Sequence, residues 1–180
     1  MKNQMNLLAV ALGTGILIVP CVSLTANPLK VTADKPNIIY ILADDLGYGD
    51  LSFLGQKRFK TPNIDQLAAS GLVFTNHYSG STVSAPSRCA LFTGMHTGHS
   101  YIRGNKEMKP EGQEPIPDGI TTLAELMKKA GYATGAFGKW GLGGPGTEGD
   151  PVNQGFDVFF GYNCQGLAHN YYPDHLWRYD

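Results

Sequence analysis

Ile38-Ile39-Tyr40-Ile41-Leu42-Ala43-Asp44-Asp45 runs six apolar residues, rich in β-formers, straight into two carboxylates. A continuous apolar run, rather than an alternating one, is how a strand buried on both faces reads, so it predicts a strand of a parallel or mixed sheet. Carboxylates at the carboxyl end of such a strand stand where open α/β sheets place their ligands. Taken alone, an aspartate pair in this position is a solvated loop by default, so its meaning depends on what surrounds it.

Outward from this run, strand and helix patterns alternate. Thr61-Pro62-Asn63-Ile64-Asp65 opens a helix: Thr61 can cap it, Pro62 suits the first helical position and Asp65 the first turn. Ile64, Leu67 and Ala68 make its apolar face, and Gly71 ends it. Leu72-Val73-Phe74 reads as a short strand. Thr122-Leu123-Ala124-Glu125 is a capping box, followed by an apolar stripe of Leu123, Leu126, Met127 and Ala130 and a stop at Gly131. Tyr132 to Phe137 reads as a further strand with Gly138-Lys139 at its end. Strands alternating with helices give an α/β layered fold.

The chain has 180 residues and a formal net charge of −1, which points to neither nucleic acid nor an acidic membrane surface as a partner. Residues 1–26 read as a secretory signal peptide: Lys2, then the apolar run Leu7 to Val19, then small and polar residues. That implies the Sec export machinery and a periplasmic or secreted product; lipid anchoring at Cys21 is the less favoured alternative, because Pro20 precedes it. Residues 27–36 read as a linker and 37–180 as the folded part. Beyond the signal peptide Cys89 and Cys164 remain, either as one disulfide or as two buried thiols.

The most specific segment is Ser84-Ala85-Pro86-Ser87-Arg88-Cys89-Ala90-Leu91-Phe92-Thr93-Gly94. It resembles the sulfatase signature at every fixed position: Cys or Ser, any residue, Pro-Ser-Arg, two variable residues, Leu, one variable residue, Thr-Gly. The resemblance implies that Ser84 is oxidised to formylglycine (3-oxoalanine) and is the catalytic residue. An ordinary Ser needs an adjacent base to act as a nucleophile, and its sulfated form would still need hydrolysis; a hydrated aldehyde removes both difficulties. Arg88 lies one helical turn from Ser84 if a helix starts there, where a fixed guanidinium can hold the diol.

Two more segments carry the same resemblance. Pro36-Asn37-Ile38-Ile39 through Asp44-Asp45-Leu46-Gly47 is similar to the family's metal-binding strand, which implies that Asp44 and Asp45, with Ser84, bind Ca2+, or alternatively Mg2+, both hard cations suited to oxygen ligands. Gly131-Tyr132-Ala133-Thr134 with Gly138-Lys139-Trp140-Gly141-Leu142-Gly143 is similar to the second signature, and Lys139 matches its sulfate-binding lysine. One departure stands out: many relatives carry a His two positions after that lysine, and this chain has Gly141. His99, with Arg103 and Asn105 near it in sequence, and His169, in the aromatic stretch Leu167 to Pro173, are candidate substrate-binding residues, although a lone histidine is more often an ordinary surface or core residue.

The resemblance therefore implies an alkaline phosphatase-like α/β sandwich, a mixed central sheet flanked by helices, of which this chain is the N-terminal part. It implies a sulfuric ester hydrolase acting on sulfated glycans or aryl sulfates, matured at serine by an anaerobic radical SAM enzyme. Family members are considerably longer, so the fragment by itself is expected to be inactive, with an uncovered sheet edge. The competing readings are a phosphoester or phosphonate hydrolase of the same superfamily and a non-catalytic remnant.

Overall fold

The computed structural model describes residues 35–180. The signal peptide read over 1–26 and most of the linker lie outside the described residues. Leu42–Asp180 form a compact unit.

A mixed three-stranded sheet organises that unit, in the order β1-β2-β3. Strand β1 (Gly135–Lys139) runs parallel to β2 (Val158–Tyr162), from Gly135 opposite Val158 to Lys139 opposite Tyr162. Strand β3 (Trp177–Tyr179) pairs antiparallel to β2, with Phe159 opposite Tyr179. Gly138 and Gly161 face each other across the parallel pair, and a Cβ at Gly161 would lie 2.0 Å from the Gly138 carbonyl oxygen. Only glycine admits that approach.

Among the described residues four α-helices accompany the sheet: α1 (Pro62–Ser70), α2 (Ser84–Thr93), α3 (Leu123–Lys129) and α4 (Gln165–His169). The core joins α2, through Ala85 and Cys89, to Ile102, Ile116, Leu142 and the inward Phe159 of β2. Its aromatic centre is Phe92, Trp140 and Phe156, with centroids 5.2 to 5.8 Å apart and two of the three contacts edge-on, the geometry that ring quadrupoles favour. Trp140 satisfies its buried Nε1–H on the Gly149 carbonyl at 2.8 Å. Cys89 and Cys164 are both buried free thiols.

Helix α3 forms as the sequence reads. Thr122 Oγ1 accepts from the Glu125 amide while the Glu125 carboxylate accepts from the Thr122 amide, a complete capping box. The far end closes with a Schellman motif: Tyr132 N–H donates to Met127 O at 3.0 Å and Gly131 N–H to Lys128 O at 2.8 Å, with Gly131 at φ 81°. That closure keeps Tyr132 in the helix end, which is why β1 starts at Gly135 and not at Tyr132. The expected stripe of Leu123 and Leu126 faces solvent; Ala124 is the residue that enters the core. The helix is drawn in by its N-terminus, where buried Thr122 donates to Gln154 O at 2.7 Å.

Ile38 to Ala43 is not a strand, and Ile39 is 86% exposed. A buried strand exists only where neighbours supply its hydrogen-bond ladder, and among the described residues none pairs with this run. Leu72 to Phe74 is likewise unpaired and exposed. Thr61 makes no cap bond to the α1 backbone; its hydroxyl donates to Asp65 at 2.8 Å within a network with Ser52. Gly71 ends α1 in extended backbone, and the apolar residues Ile64 and Leu67 are exposed.

Two tests follow from these contacts. Thr122→Ala removes the cap and strands the Gln154 carbonyl, lowering stability by about 2 to 3 kcal/mol in urea unfolding. At β3, His175 sits between Asp174 (2.7 Å) and Glu111 (2.9 Å), and Glu111 also accepts from Trp177 Nε1 at 2.5 Å. The hydrogen bonds to Asp174 and Glu111 raise the His175 pKa above 6.5. A raised pKa means this contribution is complete below pH 6.5 and is lost as pH rises through the folded value. Amide exchange of Trp177 to Tyr179 therefore accelerates, beyond its intrinsic pH dependence, across that rise, and His175→Gln abolishes the excess.

Candidate active site

Helix α2 begins at Ser84 because Val83 is extended, at φ −114° and ψ 155°, and Pro86 fits the first turn. Val83 has no side chain that can cap. Asn105 takes that role from a distance, its Oδ1 accepting from the Ala85 amide at 2.9 Å. Gly94 ends the helix in the left-handed region at φ 67°. Ser84 thus presents its hydroxyl from the first helical position.

Arg88, one turn later, ties the site together. Its Nε–H donates to Ser84 Oγ at 2.9 Å and its Nη1–H to the carbonyl oxygen of Lys139 at 2.6 Å. The same guanidinium stands 3.6 Å from Asp44. Lys139, last residue of β1, forms an ion pair with Asp44 through Nζ. The Arg88 and Lys139 side chains are 11% and 10% exposed, while Asp44 is 46% exposed. Two cations are therefore enclosed, and the carboxylate between them opens to solvent.

Partial burial pushes the Asp44 carboxyl up, but the Lys139 hydrogen bond and charge, then the charges of Arg88 and His169, outweigh it and hold the pKa below 3.8. Burial lowers the Arg88 pKa, and the Asp44 charge opposes that. His169 thus reaches the site through its charge, from the end of α4. Asp45 lies in the left-handed region at φ 55°, a conformation aspartate tolerates better than most residues. His99 packs edge-on against His96, with centroids 6.4 Å apart, and donates its amide to His96 O at 2.7 Å. Contacts join Asp44, Ser84, Arg88 and Lys139; His169 bears on Asp44 through charge alone, and Asp45 and His99 make no contact of this kind among the described residues.

Sequence reasoning assigned no role to Asn105 or Gln165. Gln165, first residue of α4, is buried over Gly141: a Cβ on Gly141 would lie 2.3 Å from its Nε2. No local pattern signals either contact, since the partners are far apart in sequence. For a cation, Asp44 and Asp45 offer donors of the right kind. Among the described residues, however, no group of three or more His, Cys, Asp or Glu side chains gathers to hold one, and a hard cation such as Ca2+ takes roughly six to eight oxygens.

A hydroxyl at a helix start is thus bound by an enclosed arginine that also holds the carbonyl of a lysine at the carboxyl end of a parallel strand, within a layered α/β protein. The Sulfatase family model matches residues 36–178. Arylsulfatase D of Homo sapiens is 40% identical over 156 residues, which cover 81% of this chain and 26% of that protein. N-acetylgalactosamine-6-O-sulfatase of Bacteroides thetaiotaomicron is 45% identical over 175 residues, 95% of this chain and 32% of that one. Among solved structures, that of Ps i-CgsB superposes with a TM-score of 0.65 at 31% identity, covering 77% of this chain and 35% of that one. The chain belongs to the sulfatase family. Its α/β fold is the alkaline phosphatase-like fold of these neighbours. It spans about a third or less of the length of the two curated relatives.

Lys139→Met removes the strongest partner that lowers the Asp44 pKa. Carboxyl-carbon NMR should find Asp44 titrating at a higher pH than in the wild type. Stability from the pair is present above 3.8 and is lost as pH falls through the folded value; the substitution shrinks that acid-dependent loss.

Proposed function

We propose that the protein containing this chain hydrolyses sulfate esters, with Ser84 oxidised to formylglycine as its reacting group. The observation that carries the reading is Arg88, whose one side chain holds both the Ser84 oxygen and the Lys139 carbonyl. Oxidised and hydrated, position 84 supplies a geminal diol, one hydroxyl to attack sulfur and the other to release sulfate by restoring the aldehyde.

The chain's own residues account for the rest of the chemistry. Arg88 orients the oxygen on residue 84 and offsets negative charge on it. Lys139 offers its ammonium to the sulfate oxygens, exchanging Asp44 for the substrate anion. Its charge is enclosed, so it acts in a less screened medium than a surface lysine. Asp44 and Asp45 are oxygen donors for a divalent cation, calcium by family resemblance, and would supply part of its shell.

Sulfated glycans are the proposed substrate class. The similarity to an N-acetylgalactosamine-6-O-sulfatase supports this, as do Tyr171 and Tyr172, exposed just past α4, whose faces suit a sugar ring. His169 would contact such a substrate. His99, directed to His96, has less support. The signal peptide read at 1–26 makes the product exported, and serine at position 84 calls for an anaerobic maturase.

Mass spectrometry of the Ser84 peptide, from full-length protein co-expressed with such a maturase, should find it two hydrogen atoms lighter. Matured protein should release sulfate from a sulfated amino sugar, and Ser84→Ala should release none. An unmodified Ser84 under conditions that mature a control sulfatase would overturn the reading.

A further inference from the structure

We infer that Asn105 is a positioning residue of this site: its side-chain carbonyl fixes the peptide that follows Ser84 and so holds the oxygen of residue 84 against Arg88. The inference deepens the sulfate-ester reading and rests on it for its catalytic consequence.

The start of α2 has little support from its own chain. Pro86 carries no N–H, and Ser87 N–H reaches back to Val83 O at 3.2 Å. Val83 makes no side-chain cap bond. Ala85 is fully buried, so water does not serve its amide. The acceptor for that amide is Asn105 Oδ1, at 2.9 Å. The bond acts on residue 84 because a peptide unit is planar. The Ala85 N–H lies in the same rigid plane as the Ser84 carbonyl, so fixing its direction fixes the backbone torsion beside Ser84 Cα and aims the bond to Cβ. Arg88 holds the far end, donating from Nε to Ser84 Oγ at 2.9 Å. Residue 84 is thus held twice, at its oxygen by a cation and at its following peptide by a neutral amide.

Asn105 is itself firmly placed. Before it, Ile102 is fully buried in the core, and buried Ser100 donates its hydroxyl to Ile102 O at 3.2 Å. Arg103 folds back on the same loop, donating from Nη2 to Gly98 O at 2.9 Å and from Nε to Ser100 O at 3.2 Å. After it, Glu114 N–H donates to Lys106 O at 2.9 Å, and Glu107 pairs antiparallel with Gln113. A side chain anchored on both sides by ordered backbone imposes a geometry on its partner. Serine, threonine or aspartate at position 83 would cap the helix locally. With valine there, the helix start depends on a loop twenty residues away. Reacting groups tolerate little displacement, since a shift of about 1 Å costs on the order of a hundredfold in rate.

The test uses full-length protein, unmatured and matured. In the unmatured protein, NMR follows hydrogen exchange of the Arg88 Nε–H, which donates to Ser84 Oγ. In the matured protein, kcat and KM on a sulfate ester are measured per formylglycine counted by mass spectrometry. Asn105→Leu and Asn105→Ala both remove the acceptor, the first keeping the size and the second intruding on nothing. Each should speed the Arg88 exchange and lower kcat by about tenfold or more, with KM within about threefold of wild type. Asn105→Asp keeps the acceptor and should recover most of both losses, its added charge appearing in KM as repulsion of an anionic substrate. Thr122→Ala removes the cap of α3 instead and should leave exchange and kcat unchanged. Exchange or kcat unchanged in the Leu and Ala variants, no recovery in Asn105→Asp, or an equal loss in Thr122→Ala overturns the inference. Acceptor-dependent exchange at Arg88, in a protein that carries formylglycine yet cleaves no ester, would leave it standing and retire the hydrolase reading instead.

Discussion

Arg88 reaches from α2 in two directions, to the hydroxyl one turn behind it and to the carbonyl that ends β1. A guanidinium is planar and always charged, so two of its N–H groups fix two acceptors in one geometry. Because it is largely buried, those acceptors are also what make its burial tolerable. The helix start and the strand end are thereby held in register, and the rest of the site is arranged around that constraint. Lysine in its place would offer a point charge with no fork, and the carbonyl of Lys139 would lose a directed donor.

The surrounding packing serves the same join. Ala85 and Cys89 bury one side of α2, and Phe92 meets Trp140, the residue directly after Lys139. Trp140 is pinned again by its own bond to Gly149. The segment from Lys139 to Gly141 is thus packed by an aromatic cluster at Trp140 and by Gln165 over Gly141. Parallel strands usually need a helical crossover. Here the connection from β1 to β2 is irregular, stapled by contacts such as Gly146 N–H to Asp150 at 2.6 Å and Gln154 to Glu148 O at 2.9 Å. Asp44 sits differently, half open to solvent between two enclosed cations.

Residues close in sequence were legible from sequence. Ser84 and Arg88 stand four apart, and a helix starting at Ser84 makes their contact a matter of local geometry. The capping box at Thr122 and the stop at Gly131 are likewise short-range, and both appear as read. Lys139 and Asp44 were marked by motif resemblance, which named the residues without giving their pairing. Tertiary structure alone decided that Asp44 meets Lys139, that Asn105 caps α2 from twenty residues away, and that Gln165 stands over Gly141. It also overruled the run Ile38 to Ala43, whose composition promises a buried strand that its surroundings do not complete. The physical reason is the same throughout: caps and one-turn contacts depend on the chain's own next few residues, whereas strands, ion pairs and buried amides depend on distant groups whose arrival no local pattern records.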